Sequence, residues 1–426
     1  MNDLEQRVLS KLDRNELVRI TKEIVAILSP TGGEQGVADY IAGLFRGLGL
    51  QVRTQEVEPG RSNVICTWKG SGGGQSLLFT GHMDTSRGYA DTMIEDGDWL
   101  FGPGATNMKG CFTAAYAATK MLIEAGVRLK GDLLTAAVVG EIELSPVDDG
   151  LHSYDGRSYR GAGLGTEYML RHGVTADMAI IGEPTGLRVQ CGNAGYVFAK
   201  ITTFGKPQHT HTKHAGVSAL DRMLKVIQVI QAWEPEYQRL YQHPRMLPLI
   251  NVGAIASGRP YTPNNTPASA HLFVHITTVP GTEPLKLKHH LEGVVAAAGT
   301  GDPDFKADVS FYQVRHAYEI PLDAPLAQLV ARAHQQLFSE PPEPIEPTRY
   351  SVSSDGSFFQ LYGIPSITYG PGGITRTGAR LNRDEQTGLE PLNFENLANC
   401  ARVYALAALE ACEVTSPEVT LRAPRG

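Results

Sequence analysis

The 426-residue chain lacks the marks of a membrane, nucleic-acid-binding or disulfide-stapled protein. No apolar run reaches the ~18 residues that a bilayer span needs. Lysine and arginine never gather beyond short pairs and the net charge is −7, which excludes an electrostatic footprint for nucleic acid or for an anionic membrane surface. Cysteine is scarce: Cys66, Cys111, Cys191, Cys400 and Cys412 follow no framework spacing. The first three lie in apolar or Gly-rich segments and read as small buried groups. Internal repeats and low-complexity tracts are also missing. The opening Met1-Asn-Asp-Leu-Glu-Gln6 is polar and acidic, unlike a secretory leader. What is present, 42% apolar and 19% charged residues with 46 Gly and 26 Pro, is ordinary globular composition. These features predict a reduced, cytoplasmic protein of enzyme size, with a small molecule rather than a polymer as its partner.

Periodicity predicts the layout. Strands are expected at 63–68, 76–80, 132–139 and 178–182, and helices at 14–28, 34–47, 110–126 and 165–172. Such alternation implies an α/β sheet with parallel strands at its centre. Near residue 190 the pattern changes. Residues 195–204, 249–257 and 270–279 read as half-exposed strands, with helices at 217–233 and 284–297, a β-α-β-β-α-β order of ferredoxin-like type. Helices at 323–338 and 392–411 and a strand at 365–369 then restore the first pattern. The fold class expected is α/β, with a mixed central sheet in a catalytic domain made of residues 1–190 and 313–426. An α+β lid or dimerisation domain at 191–312 is inserted between the two pieces.

Chemistry concentrates in four segments. Ser76-Leu-Leu-Phe-Thr-Gly-His-Met-Asp84 ends an apolar strand on His82 and Asp84. Two residues apart on an extended chain, they face the same way, so the carboxylate can hold the second ring N–H of a metal-bound histidine. The same pair also fits a buried His–Asp hydrogen bond with no metal. There follow Gly102-Pro-Gly-Ala-Thr-Asn-Met-Lys-Gly110, Val138-Val-Gly-Glu-Ile-Glu143 and Ile180-Ile-Gly-Glu-Pro-Thr185.

In that order the segments resemble the two-metal amidohydrolases related to acetylornithine deacetylase, succinyl-diaminopimelate desuccinylase and aminoacylase (peptidase family M20). The resemblance runs from about residue 15 to 411. It implies that His82 and Glu183 are the private ligands of one metal and that Glu141 is the general base. Three further metal positions depart from the family's pattern. The bridging aspartate is Asn107, whose carboxamide is neutral and cannot clamp two ions. The second of two adjacent glutamates is Ile142. The last ligand, a histidine four residues before a glutamate, falls on Leu381 in Leu381-Asn-Arg-Asp-Glu385. Two divalent ions ~3.5 Å apart repel by roughly 20 kcal/mol at an effective dielectric of about 20, and the bridging anion normally offsets much of this. The expectation is therefore one divalent ion, zinc or manganese, held by His82, Asn107 and Glu183, with Asp84 orienting His82.

Beyond the metal, His209 in Gly205-Lys-Pro-Gln-His-Thr-His211 matches the family's oxyanion-steadying histidine, often supplied by a partner subunit. Asn264 in Pro263-Asn-Asn-Thr-Pro267 matches a substrate-contacting asparagine. The arginine that often grips a substrate carboxylate is Thr277 here, while Arg376 and Arg380 lie near Gly370-Pro-Gly372. Asp355 reads as a helix cap first and a site residue second. Residues 144–160 form an insertion that either walls the pocket or decorates the surface. The reaction implied is hydrolysis of a C–N bond, with an N-acyl amino acid or small peptide amide as substrate, in a homodimer built through the inserted domain. Two alternatives stand beside it. One is a hydrolytic deaminase of an activated aromatic amine, the family including one that acts on a nitro-substituted anthranilate. The other is a metal-free relative that only binds a small ligand.

Overall fold

The computed structural model describes residues 1–86, 92–142, 160–345, 354–381 and 383–413. Strands β1 (Gln51–Glu58), β2 (Arg61–Trp68), β3 (Leu77–His82), β4 (Leu133–Val138) and β5 (Met178–Ile181) belong to one six-stranded sheet. A second sheet holds β6 (Gly195–Phe204), β7 (Ile250–Ser257), β8 (Ser269–Thr278) and β9 (Ala307–Arg315). The chain then returns to complete the first sheet with β10 (Ser366–Thr368).

The first sheet has the order β1-β2-β4-β3-β5-β10. β4, β3, β5 and β10 run parallel, while β1 and β2 are antiparallel. It is the mixed α/β sheet that the alternation predicts. Every residue of β3, β4 and β5 is buried, as expected of parallel strands covered on both faces. Helices α1 (Asp3–Leu9), α2 (Arg14–Ala26), α3 (Gln35–Gly47), α4 (Gly110–Glu124) and α5 (Leu164–Arg171) precede the second sheet, and α8 (Pro325–Phe338), α9 (Gly356–Leu361) and α10 (Phe394–Ala411) follow it. α4 is buried almost all round, against the sheet, α2 and α10. Its first turn lies so close to the strands that a Cβ on Gly182 would come within 2.4 Å of Cys111 Cβ, and one on Gly81 within 2.6 Å of Cys111 Sγ. Glycine at both positions lets the helix and the ends of β3 and β5 converge.

The second sheet follows β6-α6-β7-β8-α7-β9, where α6 is Ala219–Leu240 and α7 is Pro284–Ala297. Its order, β7-β8-β6-β9, is that of a ferredoxin-like unit. It has its own apolar core, with Val197, Ile201, Met223, Val226, Leu272 and Leu291 among its members. β9 continues to Arg315, so a division placed at 312 cuts through this strand. Both connections to the first unit run side by side, where Gly192–Asn193 pairs with Tyr318–Glu319.

Sequence periodicity misses α1, the polar edge strand β1, and a three-stranded patch made by Ile94–Asp96, Trp99–Phe101 and Pro391–Asn393. These strands are either short or alternate exposed polar groups, which leaves little apolar signal.

Candidate metal centre

The carboxyl ends of three adjacent parallel strands supply the site. β3 ends on His82, β4 leads into Glu141, and β5 leads into Glu183. In-register pairing of His82 with Val138 and of Thr80 with Ile181 brings the three exits to one level. This is where open α/β sheets bind their ligands. His82, Glu141 and Glu183 are all buried and offer ligand atoms within 4.8 Å of one another.

His82 is held by its other nitrogen. Nδ1 lies 2.9 Å from the Asp84 carbonyl oxygen and 3.4 Å from Asp84 Oδ1. Nε2 faces the cluster, 3.0 Å from Asn107 Oδ1, 3.6 Å from Glu183 Oε1 and 3.9 Å from Glu141 Oε2. Asp84 accepts from the Glu141 amide (3.0 Å), the Ile142 amide (2.9 Å) and the Thr31 hydroxyl (2.9 Å), so it orients both His82 and the turn that carries Glu141. Asn63 ties that turn down. Its Oδ1 accepts from Val139 N–H at 3.0 Å and its Nδ2 donates to Gly165 O at 2.8 Å.

The electrostatics call for a cation. Burial opposes a charge on His82, yet Asp84, Glu183 and Glu141 outweigh it and raise its pKa well above the ordinary value. Burial likewise works to raise Asp84, but its hydrogen bond to His82 and the two amides hold it below the usual carboxylate range. Glu183 is pushed up to about 8, first by burial and then by Glu141 and Asp355, against the pull of His82. Its Oε2 is buried without a hydrogen-bond partner. A buried imidazole, a buried carboxylate with a bare oxygen and a carboxamide oxygen aimed at the same point fit a divalent cation.

Two participants, Arg315 and Glu390, escape sequence reasoning, and a third, Asp355, is read there as a site residue only second. Arg315, at the end of β9, is fully buried and donates from Nη1 to Glu141 Oε1 at 2.5 Å. Its Nη2 reaches the Glu141 carbonyl at 3.3 Å and Asp355 Oδ1 at 3.6 Å. Asp355 does not cap α9 with its side chain, contrary to the cap-first reading. It accepts from Thr166 Oγ1 at 2.5 Å and faces Arg315, and burial raises it to about 6. Glu390 accepts from the Thr106 and Asn107 amides at 3.1 and 2.8 Å and so fixes the turn bearing Asn107. Burial raises it to about 7. In the Leu381–Glu385 segment Leu381 is 42% exposed and Glu385 is exposed, while the acid behind Asn107 is the buried Glu390. A buried glutamate inside Gly388-Leu-Glu-Pro-Leu392 was the available signal.

His209 and Asn264 lie together on the second unit, Asn264 Nδ2 being 3.4 Å from His209 Nε2. Both are exposed, and His209 is not part of the group of ligand atoms formed by His82, Glu141 and Glu183. Arg376 donates to Asp96 Oδ2 at 2.6 Å and stacks over Phe101, and Arg380 donates to Glu343 Oε2 at 2.5 Å. Both are engaged away from the cluster. Glu143, Asn382 and residues 144–159 of the insertion lie outside the described residues, as does most of what would decide the insertion's role. No helix among the described residues is long and apolar enough to cross a membrane.

Comparison with known proteins agrees with this architecture. Residues 78–410 match the model of peptidase family M20/M25/M40. N-formyl-4-amino-5-aminomethyl-2-methylpyrimidine deformylase of Bacillus subtilis is 25% identical over 399 residues, covering 85% of this chain and 88% of its own. A tripeptidase from Staphylococcus aureus superposes with a TM-score of 0.74 at 19% identity, covering 94% of this chain and 99% of its own. A dinuclear metal-binding peptidase from Bacillus subtilis superposes at 0.66 with 13% identity, covering 94% and 99%. The chain therefore belongs to peptidase family M20/M25/M40, a family of metal-dependent hydrolases that act on carbon–nitrogen bonds.

Proposed function

We propose that the chain hydrolyses the amide C–N bond of a small N-acyl compound, using one divalent ion, zinc or manganese, held by His82, Asn107 and Glu183. The observation that carries this reading is the convergence of His82 Nε2, Asn107 Oδ1 and Glu183 Oε1 beside a bare, buried Glu183 Oε2. A bound divalent ion would supply Lewis acidity and lower the pKa of a water molecule. Glu141 is the base. It is 7% exposed, lies at the edge of the cluster, and keeps Oε2 turned to His82 while Arg315 holds Oε1. It takes a proton as the water oxygen bonds to the acyl carbon, then delivers that proton to the nitrogen as the C–N bond breaks, leaving a carboxylic acid and an amine. Asp84 keeps His82 in the tautomer with Nε2 free.

His209 and Asn264 complete the site from a second copy of the chain. Their mutual proximity and their exposure on the inserted unit support this. His209 would steady the developing oxyanion, and Asn264 would contact the substrate. Residues 191–312, extended to Arg315, are the lid and dimerisation domain in this reading. Residues 1–190 together with the remainder form the catalytic domain, in a cytoplasmic enzyme.

One observation favours a second substrate class. Position 277 is threonine, and Arg376 and Arg380 are engaged by Asp96 and Glu343, so none of these positions presents a guanidinium for a substrate carboxylate. The same base then suits an activated aromatic amine, from which water displaces ammonia. Assaying carboxylic acid against ammonia separates the two readings.

The test is metal content by elemental mass spectrometry, with activity measured on acylated and arylamine panels. The expected result is one zinc or manganese per chain, lost in His82→Ala and Glu183→Ala. Glu141→Gln should keep the metal and lose roughly 10²–10⁴-fold in turnover. A protein that takes up neither metal in excess, or a Glu141→Gln variant with undiminished turnover, would sink the proposal.

A further inference from the structure

We infer that Arg61 is a positioning residue for the base: paired with Glu34, its guanidinium is the support on which Gly140 seats the turn that carries Glu141. The inference rests on the reading of Glu141 as the base and adds what holds that base in place. Arg61 opens β2 and is 3% exposed, with Glu34 fully buried beside it. The contact is a fork. Nε donates to Glu34 Oε2 at 3.0 Å and Nη2 to Oε1 at 2.6 Å. Nη1 donates to Glu58 Oε2 at 2.6 Å and to the Arg160 carbonyl at 3.1 Å. One planar group thus ties together the residue before α3, the β1–β2 hairpin and the chain that leads into α5.

The base turn lies directly on this group. Gly140 has φ +63°, and a Cβ there would come within 2.8 Å of Arg61 Nη2 and 2.7 Å of the Arg160 carbonyl oxygen. Glycine both adopts the left-handed backbone and leaves the guanidinium its room. On its other side the Gly140 carbonyl accepts from the Gly163 and Leu164 amides, at 2.9 and 3.0 Å, so the turn is held between Arg61 and the start of α5. Asn63, two residues along β2 and on the same face as Arg61, fixes the neighbouring Val139 amide. His82, Asn107 and Glu183 stand on other segments. Loosening this support therefore displaces the base while leaving the proposed metal ligands in place.

The experiment compares wild type with the double variant Glu34→Gln/Arg61→Met, which leaves no unpaired buried charge, and with Arg61→Lys, which keeps the charge but not the fork. Arg222→Met, which breaks an ion pair with Asp302 on the second unit, controls for lost stability alone. Three quantities are read on the full chain: hydrogen exchange of the Glu141 and Ile142 amides by mass spectrometry, metal per chain, and kcat and KM on an acyl substrate. In the double variant the two amides should exchange roughly tenfold or more faster while β3 and β5 keep their protection. Metal content should match wild type, kcat should fall roughly tenfold or more, and KM should stay within about twofold. Arg61→Lys should fall between, and it decides the matter if the double variant does not fold. Wild-type exchange at both amides overturns the inference, as does a fall in kcat of the same size in Arg222→Met. Faster exchange with an unchanged kcat per metal-loaded chain overturns it too. Faster exchange in a protein that turns over no substrate even as wild type supports Arg61 as the turn's support and sinks the hydrolase reading instead.

Discussion

His82 shows how much of the site rests on one side chain having both ring nitrogens committed. Nδ1 lies 2.9 Å from the Asp84 backbone carbonyl and 3.4 Å from its Oδ1, and the Asp84 carboxylate accepts from two backbone amides and the Thr31 hydroxyl. Asp84→Asn would turn an NH2 group against an N–H donor and slacken both His82 and the Glu141 turn. The expected outcome is roughly 10–100-fold weaker metal binding, read by calorimetry. Full metal affinity in this variant would mean that Asp84 merely fills space. His82, Asp84, Glu141 and Glu183 are legible in the sequence because each ends an apolar strand within a short, recognisable segment. Arg315 is not: it ends a strand whose burial alternates weakly, and Gln313-Val-Arg-His316 reads like any polar strand end. Asp355 is misread for a related reason. Its backbone stands at a helix start, where carboxylates usually cap, and only packing shows that the side chain turns away.

At the scale of elements, the parallel strands fix the site and the helices fix the strands. α8 docks on the end of β10 through His334, whose Nδ1 lies 2.7 Å from the Tyr369 hydroxyl. Burial lowers the His334 pKa from 6.5 to about 4. A histidine that is neutral when folded and titrates near 6.5 when unfolded gives stability that is full above that value and is lost as pH falls through the window towards 4. The melting temperature should therefore drop between about pH 7.5 and about pH 5, and His334→Gln, which has no proton to gain, should narrow the drop. A drop of the same size in the variant would assign the acid sensitivity elsewhere. Helix and strand positions in this region follow from the sequence because α8 and α10 carry long apolar stripes. The pairing of Ile94–Asp96 and Trp99–Phe101 with Pro391–Asn393 does not, since three-residue strands far apart in sequence leave no periodic trace.

For the whole molecule, the two-piece sheet and the inserted β-α-β-β-α-β unit can be read from the order of patterns alone, but their mutual placement cannot. That placement puts Arg315 against Glu141 and leaves His209 and Asn264 exposed beside each other. In the proposed reading the base Glu141 stands on one unit and the oxyanion donor His209 on an exposed surface of the other, and a second chain brings that surface over. Mixing two inactive variants tests this arrangement directly. His209→Ala and Glu141→Gln each remove one half of the machinery. In a mixed dimer one site has Glu141 from the first chain and His209 from the second, and the other site has neither. Random reassortment after mild dissociation makes about half of the dimers mixed, so about a quarter of the wild-type sites should become active. Recovery near that fraction, in parallel with a dimer mass by light scattering, places His209 across the interface. No recovery in a preparation proven to contain mixed dimers would put His209 in its own chain's site, reached by closure of the lid onto the catalytic sheet, and would remove the need for a second copy.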